Sequence, residues 1–203
     1  LIKSFEVDPA GTIWAGHMFK GVYRIRLDET LHKVKETAYI GQFDDSRGEG
    51  RISVMKLRGR IVFTDGNRFY TYEDLSGQIV PYEVLNASYP ELGDTYRIVP
   101  VNNDLYWFIR NTEYVLMAHD DGRFVIRTRI PFTLLDNPTI EDRGNIYIGK
   151  DGTAYFCLNG GLARYNPLQV RPDTTPKKLS LVSVTAYNPH DRTSRPLPVY
   201  GPY

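Results

Sequence analysis

The sequence predicts an all-β chain made of β-propeller blades, followed by the beginning of a second β domain. Three observations carry the propeller. A motif built around one large apolar residue comes back four times at a near-constant spacing. Each copy reads as short alternating strands that meet at Gly or Asn turns. The 203 residues hold 15 Tyr, 9 Phe and 2 Trp beside 17 Gly and 13 Pro, a mixture that suits strands and turns. No long window shows apolar positions at helical spacing without a Gly or Pro interruption.

The repeat is clearest in "GTIWAGHMFKGVYRIRLD", residues 11 to 28, where Trp14 is followed nine residues later by Tyr23. "RIVFTDGNRFYTYED" gives Phe63 and Tyr72 at the same spacing, and "DLYWFIRNTEYVLMAHD" gives Trp107 and Leu116. "TAYFCLNGGLARYNP" gives Phe156 and Tyr165. The first members lie 49, 44 and 49 residues apart. A period of this size, with four strands in each repeat, is the pattern of propeller blades. Blades pack face to face, so the recurring large residue is expected to fill the gap between neighbouring sheets. Exchange among Trp, Phe and Leu within one chain suits packing and does not suit catalysis.

The elements follow in order. "TIWAGHM" with "VYRIRLD", "RIVFT" with "RFYTYED", "LYWFIRN" with "EYVLMAH" and "AYFCLN" with "GLARYNP" are the central hairpins. "IKSFEVD", "RISVMKLR", "TYRIVPVN" and "GNIYIGKD" supply a preceding strand. "KVKETAYIG", "QIVPYEV" and "FVIRTRIP" supply a following strand in the first three copies. The blades are therefore expected at about residues 1–41, 51–86, 95–132 and 144–170 within a propeller region 1–170. "LQVRPDTTPKK" then reads as an extended linker, with its Pro- and Thr-rich part at 171–178. "LSLVSVTAYN" alternates as a fresh strand, and 179–203 reads as the start of a further β domain cut off by the chain's end; the competing reading is a fourth strand completing the last blade.

Charge and motifs exclude several functions. Twenty-five Lys and Arg against 24 Asp and Glu give a net charge of +1, without the basic excess of a nucleic-acid-binding surface. The single cysteine, Cys157, permits no intrachain disulfide and no cysteine-based zinc site. It reads as a small buried hydrophobe. No apolar run reaches the roughly 18 residues of a membrane span. The chain begins "LIKSFEVD", without an initiator Met or a signal peptide, and is expected to be a piece of a longer protein. His17, His32, His119 and His190 form no pair at metal-ligand spacing, and Asp44 and Asp45 sit in a loop without a calcium-binding pattern. "GEGR" and "NGG" open no helix, so neither reads as a phosphate cradle. No catalytic constellation, metal site or cofactor is expected.

"DPAGTIWAGHMFKGVYRIRLD" resembles the two-component-regulator propeller repeat, through Asp8, Gly11, Ile13, Trp14, Gly16, Gly21 and Tyr23. "DGTAYFCLNGGLARYNP" is similar, through Asp151, Gly152, Gly160, Gly161, Leu162, Tyr165, Asn166 and Pro167. The middle two copies keep the spacing and lose the consensus. The passage into "LSLVSVTAYN" resembles the step from the last blade to the small Ig-like "Y_Y_Y" domain. That order occurs in periplasmic sensor halves of bacterial hybrid histidine kinases and related one-component regulators. The resemblance implies a blade set belonging to a larger ring, in the periplasmic part of a membrane-anchored, dimeric regulator of the inner membrane. It also implies an oligosaccharide as the sensed ligand and polysaccharide-utilisation genes as the regulated output.

A propeller gathers ligand-binding loops at one end of its channel. Here these are the blade connections 42–51, 87–95 and 133–143, and the hairpin turns 17–21, 65–67, 111–113 and 159–161. Sugar sites combine an aromatic face with amide or charged groups for hydroxyls. His17, Phe19, Phe43, Asp44 and Arg47 offer that mixture, as do Arg110 and Asn111. The expected function is a non-catalytic extracytoplasmic sensor of a small molecule. The rival readings are a binding or scaffold propeller without a signalling role, and part of a propeller lyase or hydrolase whose catalytic residues lie outside this chain.

Overall fold

Every expected hairpin forms in the computed structural model, which describes residues 1–17, 21–41, 43, 52–135, 138–166, 184–188 and 192–197. The chain divides into two compact units, Leu1–Pro167 and Leu168–Tyr203. The first sheet is β1 (Ile2–Val7), β2 (Ile13–His17), β3 (Gly21–Leu27) and β4 (Val34–Ile40). The second is β5 (Ser53–Leu57), β6 (Arg60–Thr64), β7 (Phe69–Glu73) and β8 (Gln78–Pro81). The third is β9 (Arg97–Pro100), β10 (Leu105–Ile109), β11 (Glu113–Asp120) and β12 (Arg123–Pro131). The fourth, three-stranded among the described residues, is β13 (Ile146–Ile148), β14 (Ala154–Leu158) and β15 (Gly161–Tyr165). Each is an antiparallel meander of consecutive strands, and together they stand as four blades of a β-propeller. Among the described residues helix is confined to blade connections: a four-residue α1 (Glu83–Asn86) and 3₁₀ turns at Pro90–Leu92 and Phe132–Leu134.

The turn between the first two strands explains the repeat consensus. Asp8 Oδ1 accepts bonds from the Ala10 and Thr12 amides at 2.9 and 2.8 Å, and Gly11 turns the chain at φ +80°. Asp8 Oδ2 accepts from Trp14 Nε1 at 2.9 Å, so one carboxylate fixes both the turn and the indole. The fourth blade rebuilds this turn. Gly149 N bonds Thr153 O as Asp8 N bonds Thr12 O, and Gly152 turns at φ +79°. Its carboxylate comes from Asp151 two positions later, accepting from the Thr153 amide and hydroxyl. The second blade instead uses Arg58 and Gly59, both at positive φ, as a two-residue hairpin turn. A different turn has no place for the Asp, and the motif vanishes there.

Asp8 also gives the fold an acid-sensitive point. Burial pushes its carboxyl up, but the bonds from Trp14, Thr12 and Ala10 outweigh burial and leave it below its ordinary 3.8. A depressed folded-state pKa contributes stability above the unfolded value, and that stability disappears as pH falls through the folded value. Urea unfolding between pH 6 and pH 2 is expected to show this loss below about pH 4. In Asp8→Asn the acid limb should be shallower; an unchanged limb would remove Asp8 from the account.

Packing between blades alternates in character. Trp14 lies edge-on to Phe63 at 5.5 Å and against Tyr72 at 4.7 Å, joining the first blade to the second. Trp107 lies edge-on to Phe156 at 5.0 Å and to Tyr165 at 5.4 Å, joining the third to the fourth in the same way. The interface between the second and third blades contains none of these residues. It is filled by Met55, Val62, Phe69, Leu85, Phe108 and Met117. All four repeat residues thus occupy the second strand of their blade and fill an inter-blade gap, but two face forward and two face back.

A second departure concerns Tyr23. Trp14 pairs with Arg24, so Tyr23 points to the other face of its sheet, against Tyr39 at 5.1 Å. Tyr72, Leu116 and Tyr165 share the faces of Phe63, Trp107 and Phe156. The cause is turn length. Three residues separate the paired His17 and Gly21, whereas four separate Thr64 from Phe69, four Ile109 from Tyr114, and two Leu158 from Gly161. An odd count inverts which side chains face the neighbour.

The outward faces of the end blades remain apolar and open: Phe5 is 65 % exposed, Tyr147 65 % and Leu162 70 %. In the second unit β16 (Val184–Asn188) pairs with β17 (Thr193–Leu197) as an antiparallel hairpin. The expected boundary at Leu179 and the linker 171–178 lie outside the described residues.

Candidate functional site

The blade connections are anchored to the hairpin turns beside them. Asn86 in α1 accepts from Phe69 N at 2.9 Å and donates to Phe69 O at 2.8 Å, a carbonyl that also accepts from the Tyr82 amide. Thr64 Oγ1 donates to the Gly93 carbonyl. Asp65 Oδ1 accepts from the Asn67 and Arg68 amides at 2.9 and 3.0 Å and closes the second hairpin turn.

A charged chain crosses this face at the third blade. Arg110 donates from Nε and NH2 to the two carboxylate oxygens of Asp94, and from NH1 to Glu113. Arg129 continues it, donating to Glu113 at 2.7 Å and to Glu91 at 2.6 Å. Burial works against the Arg110 charge, but the Asp94 bond and the charges of Asp94 and Glu113 outweigh it and hold the guanidinium above its ordinary range. A fork so engaged sets loop geometry. Beside it Asn111 and Asp142 bond reciprocally, the Asp142 amide donating to Asn111 Oδ1 at 2.9 Å. Asp142 also pairs with Lys3 of β1 at 3.3 Å, and Lys3 lies 5.9 Å from the Tyr96 ring centre. The first strand of the chain is thereby tied to the connection before the fourth blade. The Gly144 amide donates to Tyr96 Oη at 2.9 Å, and burial raises the Tyr96 phenol to about 12.

Of the residues singled out in the sequence, Arg110 and Asn111 come together in this network, and His17 ends β2 opposite Ile2 and Gly21. Phe19, Asp44 and Arg47 lie outside the described residues. Phe43 is a correction: at 3 % exposure its ring lies 5.1 Å from Tyr70 and 5.7 Å from Phe63, within the core between the first two blades. A ring covered in this way serves packing and offers no face to a sugar. The aromatic surroundings that suggested a stacking platform are themselves what bury it.

Two cavities run along the first strands of the blades. One of about 680 Å³ lies where the turns after β5 and β9 approach β1, and is lined by Glu6, Lys56, Arg58, Asn102, Asn103 and Tyr106. A second, about 340 Å³, runs up between β1, β5 and β9 and shares Glu6, Ile98 and Pro100 with the first. Sequence reasoning missed Glu6, Lys56 and Arg97. The available signal was a charge within or beside the apolar run of each blade's first strand, as in "SFEV", "VMKL" and "YRIV". Among the described residues no three His, Cys, Asp or Glu side chains gather as metal ligands do. No helix there is long and apolar enough to cross a membrane.

Two buried side-chain atoms lack a hydrogen-bond partner among the described residues: Arg24 Nε and the Tyr114 hydroxyl, the latter on a fully buried ring against Phe132 and Phe156. Burial, with Tyr96 and Cys157 adding to it, raises this phenol far above its ordinary range. An unpaired buried hydroxyl costs about 1–3 kcal/mol, so Tyr114→Phe is expected to leave stability unchanged or raise it by up to about 1 kcal/mol. Denaturant unfolding of the two proteins checks this; a loss beyond about 1 kcal/mol would reveal a hydrogen bond that the hydroxyl makes.

No protein-family model and no curated protein sequence matches the chain. Its fold is shared with solved structures. One is the extracellular domain of a protein assigned to a one-component system in B. thetaiotaomicron, at TM-score 0.55 and 14 % identity over all of this chain and 31 % of the other. Another is an auxiliary nutrient-binding protein of Bacteroides ovatus, at TM-score 0.52 and 12 % identity over 82 % of this chain and 45 % of the other. The chain therefore spans less than half the length of either. At these identities the likeness is one of fold.

Proposed function

We propose that the chain is a non-catalytic, extracytoplasmic ligand-binding segment of a bacterial one- or two-component regulator, and that it senses an oligosaccharide. The observation that carries this reading is the blade set itself. Its Asp-fixed, Gly-turned, Trp-centred units resemble the regulator propeller repeat, and its fold is that of an extracellular regulator domain and of a nutrient-binding protein. The open apolar faces at Phe5, Tyr147 and Leu162 support further blades on either side, within a larger ring. Residues 171–178 would then be the linker and 179–203 the start of the Ig-like domain, in a membrane-anchored, dimeric parent. On the connection face we assign ligand contact to His17, Arg110 and Asn111, with Phe19, Asp44 and Arg47.

A face assembled from more blades than these four supplies only part of its contacts here. The fixed entropic cost of association then removes most of the affinity. The test is calorimetry of a longer protein containing this chain against a panel of oligosaccharides, beside the sequence downstream of it. Saccharide binding with a membrane helix and a kinase or DNA-binding output downstream supports the reading. Binding to a protein and to no saccharide overturns the ligand class. A secreted parent with no output domain favours the scaffold reading.

A further inference from the structure

The three first strands β1, β5 and β9 lie side by side along the channel and bring together charges far apart in sequence. Glu6 comes from β1, Lys56 from β5 and Arg97 from β9. Glu6 and Lys56 line the 680 Å³ cavity, and Glu6 and Arg97 the cavity that continues it. The remaining channel cations are engaged elsewhere: Lys3 with Asp142, and Arg58 with Asp104 at 4.0 Å and with His119 Nδ1. Lys56 and Arg97 make no ion pair among the described residues. Their joint counter-charge is Glu6, which pairs with neither within 4.0 Å. Burial pushes the Glu6 carboxyl up, against the pull of Lys56 and Arg97.

The waist of the channel thus holds two cations for one carboxylate, in a half-enclosed setting where charge interactions are stronger than in water. Around it the lining suits hydroxyls. Asn102 Oδ1 accepts the Asp104 amide at 2.9 Å, which leaves its amide hydrogens for another acceptor, and Asn103 stands beside it. Tyr106 walls the pocket, its hydroxyl donating to the Asn103 carbonyl. The volume lies within the range of about 300–1,000 Å³ usual for small-ligand sites.

We propose that these two joined cavities bind an acidic saccharide, its carboxylates drawn to Lys56 in the first and Arg97 in the second and its hydroxyls held by Asn102 and Asn103. The saccharide part rests on the sensor reading above; the charge and the place rest on the channel residues. Unlike the connection face, the pocket is assembled wholly within this chain.

The 203-residue chain would be titrated calorimetrically with a short oligogalacturonate, with a neutral galactose oligomer of equal length, and with acetate. The oligogalacturonate is expected to bind, and the neutral oligomer at least about tenfold more weakly. Lys56→Gln and Arg97→Gln should each weaken acid-sugar binding about tenfold with unchanged melting temperature, and Glu6→Gln should tighten it. The proposal is overturned if the neutral oligomer binds equally well, if Lys56→Gln and Arg97→Gln change nothing, or if the oligogalacturonate does not bind. Acetate binding as tightly as the oligomer overturns the saccharide part. Loss of affinity on Asn111→Ala, with Lys56→Gln silent, would return the ligand to the connection face and leave the sensor reading standing. Absence of saccharide binding in the longer protein as well would remove that reading too.

Discussion

Replacing Trp107 by alanine is expected to lower the unfolding free energy by about 3–5 kcal/mol. The indole is 1 % exposed and holds the third blade to the fourth through edge-on contacts with Phe156 and Tyr165. No neighbouring side chain can swing into the space, because Ile109, Tyr114 and Ile146 are themselves locked in the same cluster. The loss should be uneven. The fourth blade has no other covered face among its described residues, so its amides are expected to lose hydrogen-exchange protection before those of the first two blades. Denaturant unfolding with hydrogen exchange checks both parts. A uniform loss of protection would mean that the four blades unfold as one block, against nearest-neighbour packing.

Gly93→Ala should be nearly as costly, about 3 kcal/mol from overpacking. The backbone at Gly93 is ordinary, with φ −60°, so conformational freedom is not the issue. The issue is space. A methyl there would stand 1.9 Å from the Asn67 carbonyl oxygen and 2.3 Å from its carbon. Neither side can retreat: Asp65 fixes the Asn67 and Arg68 amides, and Thr64 holds the Gly93 carbonyl. Gly59→Ala is the control. Its methyl meets nothing within 4 Å, but φ is +76°, so the expected loss is about 1 kcal/mol, from backbone alone. Equal losses at the two positions, measured by urea unfolding, would mean that the connection before the third blade moves freely off the second hairpin turn.

The blades were legible in the sequence because their strands alternate and their turns carry Gly, Asp and Asn. "TIWAGHM", "RIVFT", "LYWFIRN" and "AYFCLN" each became the second strand of a sheet. Which face each aromatic takes was not legible. It depends on the parity of one turn, and a residue more or less between paired positions looks trivial in a string of letters. Arg110 and Asn111 stand out in the sequence as polar residues at a turn, and each bonds to a carboxylate residue of another loop. Their partners Asp94 and Asp142 come from connections with no repeat pattern, and Lys3 from the far end of the chain. Phe43 was misread because an aromatic in a polar, Gly-containing loop gives no sign that it folds back under Trp14 and Phe63. The channel charges escaped notice because they belong to strands 40 or more residues apart, which only the ring arrangement brings side by side.

The meander order of the sheets has a consequence for how the chain is made. Among the described residues hydrogen-bonded strand partners are consecutive, so none of these strands waits for a partner synthesised much later. Loop-closure entropy is small for every ladder, which favours fast, local assembly. During translation each blade can complete its sheet while the next is still within the ribosome, and besides the outer face of the first blade one apolar face stays open until the following blade arrives. The growing end would then always carry one such face, the natural point of attachment for a chaperone and the place where a stalled chain would aggregate.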